Sequence, residues 1–171
     1  MKKVKKDYKQ ASIFIERTLA VLQQYEKSLK AGEQSYSHTL FINACVGLLM
    51  TTTEVVLTRL PTGKISKEDW GIDPKDVLEA SLLKKHKDKM DERSVQNITR
   101  LMRNSIAHFG FTFDYDETKS IPIDKISFKL DKYSKFELNE LDFSSFKLFV
   151  FKVAEESLKI LKKYTINCKR C

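Results

Sequence analysis

Apolar residues recur in the N-terminal part of the chain at the spacing of an amphipathic helix. Four of them stand seven residues apart: Tyr8, Ile15, Leu22 and Leu29. Such a repeat keeps side chains on one helix face, so it predicts a helix over residues 5 to 30 that ends near Gly32. A second helix is predicted over about 37 to 59, apolar on nearly all sides in its first half and closed by Pro61. We expect these two helices to form an antiparallel pair.

The middle of the chain is more polar until another long helix begins. Residues 65 to 91 predict a loop with a short helix that opens at Pro74 and runs through KDVLEASLL. A further helix is predicted from Asp91 or Ser94 to Phe109. In a helix successive residues are rotated by about 100° around the helix axis, and at this rotation the apolar residues form one core-facing stripe: Val95, Ile98, Met102, Ile106 and Phe109.

After Gly110 the pattern changes from helical to alternating. Three sets of alternating apolar residues predict up to three short antiparallel strands: Phe111, Phe113 and Tyr115; Ile126, Phe128 and Leu130; and Phe136 and Leu138. Asp142 then predicts the N-cap of a last long helix. The expected fold class is mainly α, a single domain over residues 1 to 171. It is an antiparallel helical bundle with a small antiparallel β element, at about 111 to 140, inserted before the last helix.

The charge balance adds a positive surface to this fold. The 31 basic and 23 acidic residues give a formal net charge of +8, which attracts polyanions such as nucleic acid or an anionic membrane surface. Lys outnumbers Arg by 25 to six, and many Lys residues form clusters, among them MKKVKK and KKHKDK. These clusters could be an ordinary solvated surface or a binding surface, in which Lys84 and Lys85 are candidate contacts.

No signal peptide or membrane span is predicted. Acidic residues such as Asp7 and Glu16 interrupt the N-terminal apolar positions, and the longest apolar run, 40 to 50, is shorter than the roughly 20 residues that cross a bilayer. Three Cys, an odd number, argue against a disulfide framework and indicate a reducing compartment. Cys168 and Cys171 lack the further ligands of a zinc site. We expect a cytoplasmic protein with no membrane contact, no metal and no cofactor.

A group of polar residues stands out on the helix before Gly110. In RLMRNSIAHFGF, the positions of Arg103, Asn104 and His108 lie opposite the apolar stripe. No Lys, Asp or Glu occurs from 94 to 110, although a face that meets only water would be expected to carry them. Arg offers a planar fork for phosphate, and Asn can orient a partner, so the face looks selected for contact with an anion. An ordinary solvated face remains the alternative. The same face carries Gln96, Asn97, Arg100 and Ala107.

These residues resemble a known superfamily. LMRNSIAHFGF is similar to the R-N-x-x-x-H form of the Arg-x4-6-His motif of HEPN domains, the "higher eukaryotes and prokaryotes nucleotide-binding" domains. The order FINACVGLLM, DWGI, LMRNSIAHFGF, a β-containing segment and a last helix resembles bacterial HEPN nucleases, which are often plasmid-borne. The resemblance covers roughly residues 35 to 165.

The resemblance implies a HEPN-like bundle that forms a homodimer, in which two motifs face each other across a cleft and cleave RNA without metal. Arg103 and His108 would be the catalytic pair, supported by Asn104. In that chemistry an imidazole removes the proton of the 2′-OH, and the guanidinium stabilises the charge that develops on the phosphate. We add as candidate substrate-binding residues Arg100, Asn97, Lys84 and Lys85. Many relatives are toxins or antiphage effectors, so the expected partners are a second copy, RNA and a cognate antitoxin.

One departure from the wider superfamily concerns regulation. HEPN toxins controlled by a nucleotidyltransferase antitoxin continue the motif as His-x-Tyr, and the Tyr accepts adenylyl groups. Here Phe109 and Gly110 follow His108, so an antitoxin would have to act by binding. Two alternatives to a nuclease stay open. One is a catalytically silent HEPN module that binds RNA, a nucleotide or a partner protein; the other is a basic helical interaction protein with an acidic partner.

Overall fold

The computed structural model describes residues 2–28, 37–82, 90–115, 123–131 and 134–167. Its helices are α1 (Lys2–Ser28), α2 (Ser37–Val56), α3 (Lys67–Trp70), α4 (Val95–Ala107) and α5 (Phe143–Asn167), and a 3₁₀ turn, Leu57–Arg59, extends α2. Its strands are β1 (Val77–Ala80), β2 (Phe111–Tyr115), β3 (Ile123–Leu130) and β4 (Phe136–Asp142). The fold is therefore mainly α with a small antiparallel sheet, as the sequence predicts.

The predicted long helices and the three strands after Gly110 are confirmed, but the short helix predicted at Pro74 is wrong. A turn occupies 74–76 and is followed by strand β1, which pairs antiparallel with β4. Ser81 extends this pairing, since its backbone N–H donates to the Lys135 carbonyl at 2.8 Å. Val77 and Ala80 are buried against the core. Tertiary pairing thus overrides the local helix preference of KDVLEASLL.

Helix α2 lies at the centre of the helical part and packs against α1, α4 and α5. Cys45, Leu48 and Leu49 on α2 are completely buried, in keeping with its apolar sequence. At its end, the Arg59 guanidinium lies 4.3 Å from the centroid of the Tyr164 ring on α5. Despite this apolar character, none of the helices within the described ranges is long and apolar enough to cross a bilayer.

The sheet has the strand order β1-β4-β3-β2, and all neighbouring strands are antiparallel. Phe128 on β3 is the centre of its buried face, with ring centroids 6.4 Å from Phe136 on β4 and 5.7 Å from Phe146 on α5. Such tilted aromatic contacts add to the burial of the rings. The sheet is therefore fixed to α5, and β3 also contacts α4.

The N-terminal end of α4 is fixed by a cap and by a loop. The Ser94 hydroxyl accepts from the Asn97 backbone N–H at 3.3 Å, which confirms the helix start predicted at this residue. The loop after α2 supplies two further backbone hydrogen bonds, from Gln96 to the Pro61 carbonyl at 3.0 Å and from Ile65 to the Arg93 carbonyl at 2.9 Å. These contacts set the position from which α4 projects towards the sheet.

The C-terminal end of α4 has the hydrogen bonds of a Schellman motif. The Phe109 N–H donates to Ile106 O at 3.2 Å, and the Gly110 N–H donates to Ser105 O at 2.7 Å. The residue in the left-handed position of this motif is Phe109, with φ of 55°, where Gly is the usual residue. A bulky residue in that conformation costs about 1–3 kcal/mol, which the surrounding structure must offset.

Gly110 joins this helix end to the sheet through a close approach of backbones. The Lys129 N–H donates to the Gly110 carbonyl at 2.7 Å. A Cβ atom on Gly110 would lie only 2.0 Å from the Lys129 carbonyl oxygen, so no other residue fits without a shift of the backbone. The end of α4 is thereby held at one position on β3.

The exposure that the helical wheel predicts for residues of α4 is wrong at both ends of the helix. Gln96 and Asn97, placed on the outer face, are 7% and 2% exposed because the segments at 61–65 and 81–82 cover this end of the helix. Phe109, placed in the core stripe, is 88% exposed. Helix α4 ends at Ala107, so the helical turn per residue no longer applies to Phe109.

Replacing Gly110 by Ala tests the close approach to β3. We expect Gly110→Ala to lower the free energy of unfolding by about 2–3 kcal/mol, because the new Cβ must displace backbone rather than a flexible side chain. Urea denaturation measures this. Gly63→Ala is the matched control: nothing lies within 4 Å of the added Cβ, so the change should stay below about 0.5 kcal/mol. Equal effects of the two substitutions would contradict the close approach.

Candidate nucleic-acid site

The last turn of α4, the end of β3 and the described residues 131 and 134 border a pocket of about 320 Å³. His108, at the C-cap of α4, is exposed, and Asn104, one turn earlier, is half-buried. Two of the three predicted catalytic residues thus line one cavity. Its full lining is Asn104, His108, Gly110, Lys129, Leu130, Asp131 and Ser134.

Arg103, the third predicted catalytic residue, lies beside this pocket rather than among its lining residues. One of its terminal nitrogens forms an ion pair with Glu54 on α2. The other donates to Asn104 Oδ1 at 3.3 Å. Its Nε atom is buried and has no hydrogen-bond partner within the described part of the chain. Asn104 therefore connects the guanidinium to the pocket, while the buried Nε–H of Arg103 has no acceptor among the described residues.

Glu54 is a site residue that the motif does not reveal. It is the one Asp, Glu, Lys or Arg in α2, and a single carboxylate in an otherwise uncharged helix was the available signal. The exposed fractions of the Arg103 and Glu54 side chains are 31% and 65%, so their ion pair adds at most about 1 kcal/mol to stability. Its main effect is to orient the guanidinium and to balance its charge.

Arg100 is half-buried and contacts the pocket through Ser134, although it is not itself among the lining residues. Its guanidinium donates to the Ser81 carbonyl at 2.9 Å, to Asn97 Oδ1 at 2.7 Å and to Ser134 Oγ at 3.4 Å. Burial lowers the pKa of Arg100. No carboxylate in the described ranges pairs with it, so within these ranges its positive charge has no ionic partner. A cation bonded to a lining residue attracts an anion towards the cavity.

Asn97, predicted to bind substrate, is instead committed to the protein interior. Its amide nitrogen donates to the Glu92 carbonyl at 2.6 Å and to the Ser81 carbonyl at 3.4 Å, while its oxygen accepts from Arg100. Because Asn97 is only 2% exposed, we assign it a structural role, the positioning of Arg100, and do not count it among the substrate-binding residues. Lys84 and Lys85, the other predicted substrate contacts, lie outside the described residues.

The β3–β4 turn contributes residues that the sequence reasoning missed. Lys129, exposed on β3, and Asp131 and Ser134 after it line the pocket opposite α4. The alternation of β3 directs Phe128 inward and therefore Lys129 outward. Nothing local in the sequence, however, indicates that this Lys lies beside His108, because that depends on the pairing of Lys129 with Gly110.

Other groups with catalytic potential lie elsewhere. The Cys45 thiol is completely buried, and burial raises its pKa to about 12, so it is not a nucleophile at neutral pH. Among the described residues, no group of three or more His, Cys, Asp or Glu side chains is arranged to hold a metal ion. Cys168 and Cys171 lie outside the described residues.

The site thus places an exposed imidazole, an amide, an exposed ammonium and the carboxylate of Asp131 around one cavity, and two guanidinium groups are bonded to its lining residues. The cationic and amide groups are suited to a phosphate group. A profile of the family described as HEPN pEK499 p136 matches residues 1–164. The chain belongs to this HEPN family. The match includes all of the described helices and strands except the end of α5, and it confirms the resemblance carried by RNSIAH. No curated protein and no solved structure gives a significant match.

The structural role of Asn97 and the functional role of His108 in this HEPN protein can be distinguished by the effect of each substitution on stability. Asn97→Ala removes an acceptor from a half-buried guanidinium and should lower the free energy of unfolding by about 2–3 kcal/mol. His108→Ala alters an exposed side chain and should change it by less than about 0.5 kcal/mol. Urea denaturation monitored by circular dichroism gives both values. A stable Asn97→Ala protein would contradict the structural assignment.

Proposed function

We propose that this HEPN protein is a metal-independent endoribonuclease that acts as a homodimer. The observation that carries the proposal is the shared pocket of His108 and Asn104, with Arg103 bonded to Asn104 and Arg100 bonded to Ser134 of the lining. The finer fold assignment, an antiparallel HEPN bundle whose motifs meet across a cleft, belongs to the same proposal.

RNA supplies its own nucleophile, so the protein needs only acid–base and electrostatic catalysis. The imidazole of His108 takes the proton from a 2′-OH, whose oxygen attacks the adjacent phosphorus while the bond to the 5′-oxygen breaks. The products are a 2′,3′-cyclic phosphate and a 5′-OH end, and the leaving oxygen needs a proton. One pocket contains one imidazole. The second copy of the chain would supply the other, which is the chemical reason for proposing a dimer.

Charge stabilisation is the task assigned to the cations of the site. The attacked phosphate gains negative charge on its oxygens, and fixed donors directed at these oxygens lower the barrier. Arg103 is oriented by Glu54 and Asn104. Its Nε is buried, so the donors that it would offer to phosphate are the N–H groups of its two terminal nitrogens. Lys129 would hold the neighbouring phosphate from the opposite wall of the pocket.

The biological role follows from analogy with the family. We propose a cytoplasmic toxin or antiphage effector, restrained by an antitoxin that binds rather than adenylylates, because Phe109 and Gly110 replace the His-x-Tyr continuation. A silent HEPN module that binds RNA, a nucleotide or a partner protein is the second candidate. The observation that favours it is the ion pair between Arg103 and Glu54, which holds the guanidinium away from the pocket lining.

The nuclease proposal predicts RNA cleavage that survives EDTA and depends on the motif. Arg103→Ala and His108→Ala should each lose about 10²-fold or more in cleavage rate, because each removes a charge-stabilising or proton-transfer group. Single-turnover cleavage of a labelled single-stranded RNA measures the rate. Arg17→Ala, an exposed Arg on α1, is the matched control and should keep the wild-type rate.

Two controls address the chemistry itself. RNA with 2′-O-methyl groups at every position should bind but remain uncut, and the products of ordinary RNA should carry 2′,3′-cyclic phosphate ends. Full activity of the Arg103 and His108 variants would refute the proposal. Binding of RNA without cleavage under varied pH and substrates would establish the silent module instead.

The dimer proposal predicts a non-linear loss of activity in mixed dimers. Wild-type and His108→Ala chains are mixed in equal amounts and exchanged by co-refolding. If one cleavage event needs both imidazoles, only dimers with two wild-type chains work, and activity falls to about a quarter of the pure wild-type value. Activity of about a half would show that each chain acts alone. Analytical ultracentrifugation of each sample confirms that dimers are present.

A further inference from the structure

Phe109 occupies a backbone position that disfavours it. It is the residue with φ of 55° in the Schellman motif that ends α4, where Gly has no steric penalty. Its side chain gains nothing from burial in return, since it is 88% exposed. Stability alone would therefore select Gly at this position, so the ring needs another reason to be there.

The neighbouring residues place the backbone of Phe109 next to the candidate site. The residues on either side of it, His108 and Gly110, both line the candidate site. Gly110 is held against Lys129 by a backbone hydrogen bond of 2.7 Å and by a contact that excludes a Cβ atom. The helix end and the sheet thus hold the Phe109 backbone from both sides, and its side chain projects into solvent at the edge of the phosphate-binding pocket.

We propose that Phe109 is a stacking platform for a nucleobase next to the phosphate held in the pocket. This inference rests on the proposed function and adds a base-binding subsite to it. Every nucleobase has a π-face, so an exposed aromatic ring binds single-stranded nucleic acid without regard to sequence. Because the backbone of Phe109 is already held, binding has to order only the two side-chain torsions of the ring.

The charge and polarity around Phe109 favour a nucleotide over a second protein chain. The core of a protein interface groups several apolar side chains, often around an aromatic anchor. Among the residues between 90 and 131 whose side chains the structure describes, which leaves out 115–123, Phe109 is the single large apolar one that is exposed. Its neighbours in the pocket include the polar or charged residues His108, Lys129 and Asp131. One ring beside an ammonium and an imidazole, with Asp131 as the one carboxylate of the lining, matches one base beside its phosphate.

The test uses binding of uncleavable RNA, so that it does not depend on catalysis. The probe is a fluorescein-labelled, single-stranded 2′-O-methyl oligoadenylate, and the comparison probe has the same backbone with abasic units. For Phe109→Gly and Phe109→Leu we expect the Kd for the adenylate to rise roughly tenfold or more, with little change for the abasic probe. Leu78→Ala, at an apolar residue that is 59% exposed on β1, is the control and should leave both Kd values unchanged.

Two further measurements exclude a merely structural role. Phe109→Gly relieves the left-handed strain, so its Tm should be at or above that of wild type while its RNA binding falls. Phe109→Trp should keep wild-type affinity, and its added fluorescence should be quenched by the adenylate, whereas wild type, with Trp70 alone, should show little quenching.

Several outcomes would overturn the inference. These are equal affinity of wild type and Phe109→Gly for the adenylate, a lower Tm for Phe109→Gly, absence of RNA binding altogether, or conversion of a dimer to monomers by Phe109→Gly in ultracentrifugation. The last result would assign the ring to contact with a second copy. If the wild-type protein binds RNA through Phe109 but does not cleave cleavable RNA, the proposed nuclease activity is refuted and the proposed base subsite is not.

Discussion

The contact between Gly110 and Lys129 is the constraint on which the arrangement of the site depends. It joins the end of α4 to β3 at a distance that requires a residue without a Cβ atom at position 110. Because α4 is also fixed at its other end by the Ser94 cap and the loop at 61–65, the helix cannot rotate or slide independently of the sheet. The position of His108 is therefore determined by backbone hydrogen bonds, although its side chain is exposed.

The burial of the N-terminal end of α4 is a second explanation for its unusual composition. The absence of Lys, Asp and Glu from 94 to 110 suggested a face adapted to an anion. In the structure, part of that face is covered, and Asn97 serves to hold Arg100. A helix covered at its N-terminal end cannot carry long charged side chains there without partners. Composition thus reports partly on packing, and the argument for an anion now depends on Lys129 in the pocket lining and on Arg100, which is bonded to Ser134 of that lining.

Much of the fold could be predicted, because the long helices and three of the four strands follow from the periodicity of their own residues. The fourth strand could not, since β1 is defined by its pairing with β4 and not by KDVLEASLL. The site divides in the same way. Arg103, Asn104 and His108 lie within one helical segment and can be found there, whereas Glu54 and Lys129 reach the site from other elements. Phe109 escapes a helical wheel because the helix ends before it.

The ion pair between Arg103 and Glu54 also bears on how salt would affect RNA affinity. RNA carries condensed cations, and each phosphate that a protein cation neutralises releases some of them, which makes affinity fall with salt concentration. Arg103 already has a carboxylate as its counterion, and that carboxylate is part of the protein. A phosphate that reached Arg103 would compete with Glu54, so this contact would add less affinity than a contact with an unpaired cation, although it would release condensed cations from the RNA all the same. The salt dependence of binding would then count the phosphate contacts without showing how weakly the contact at Arg103 contributes.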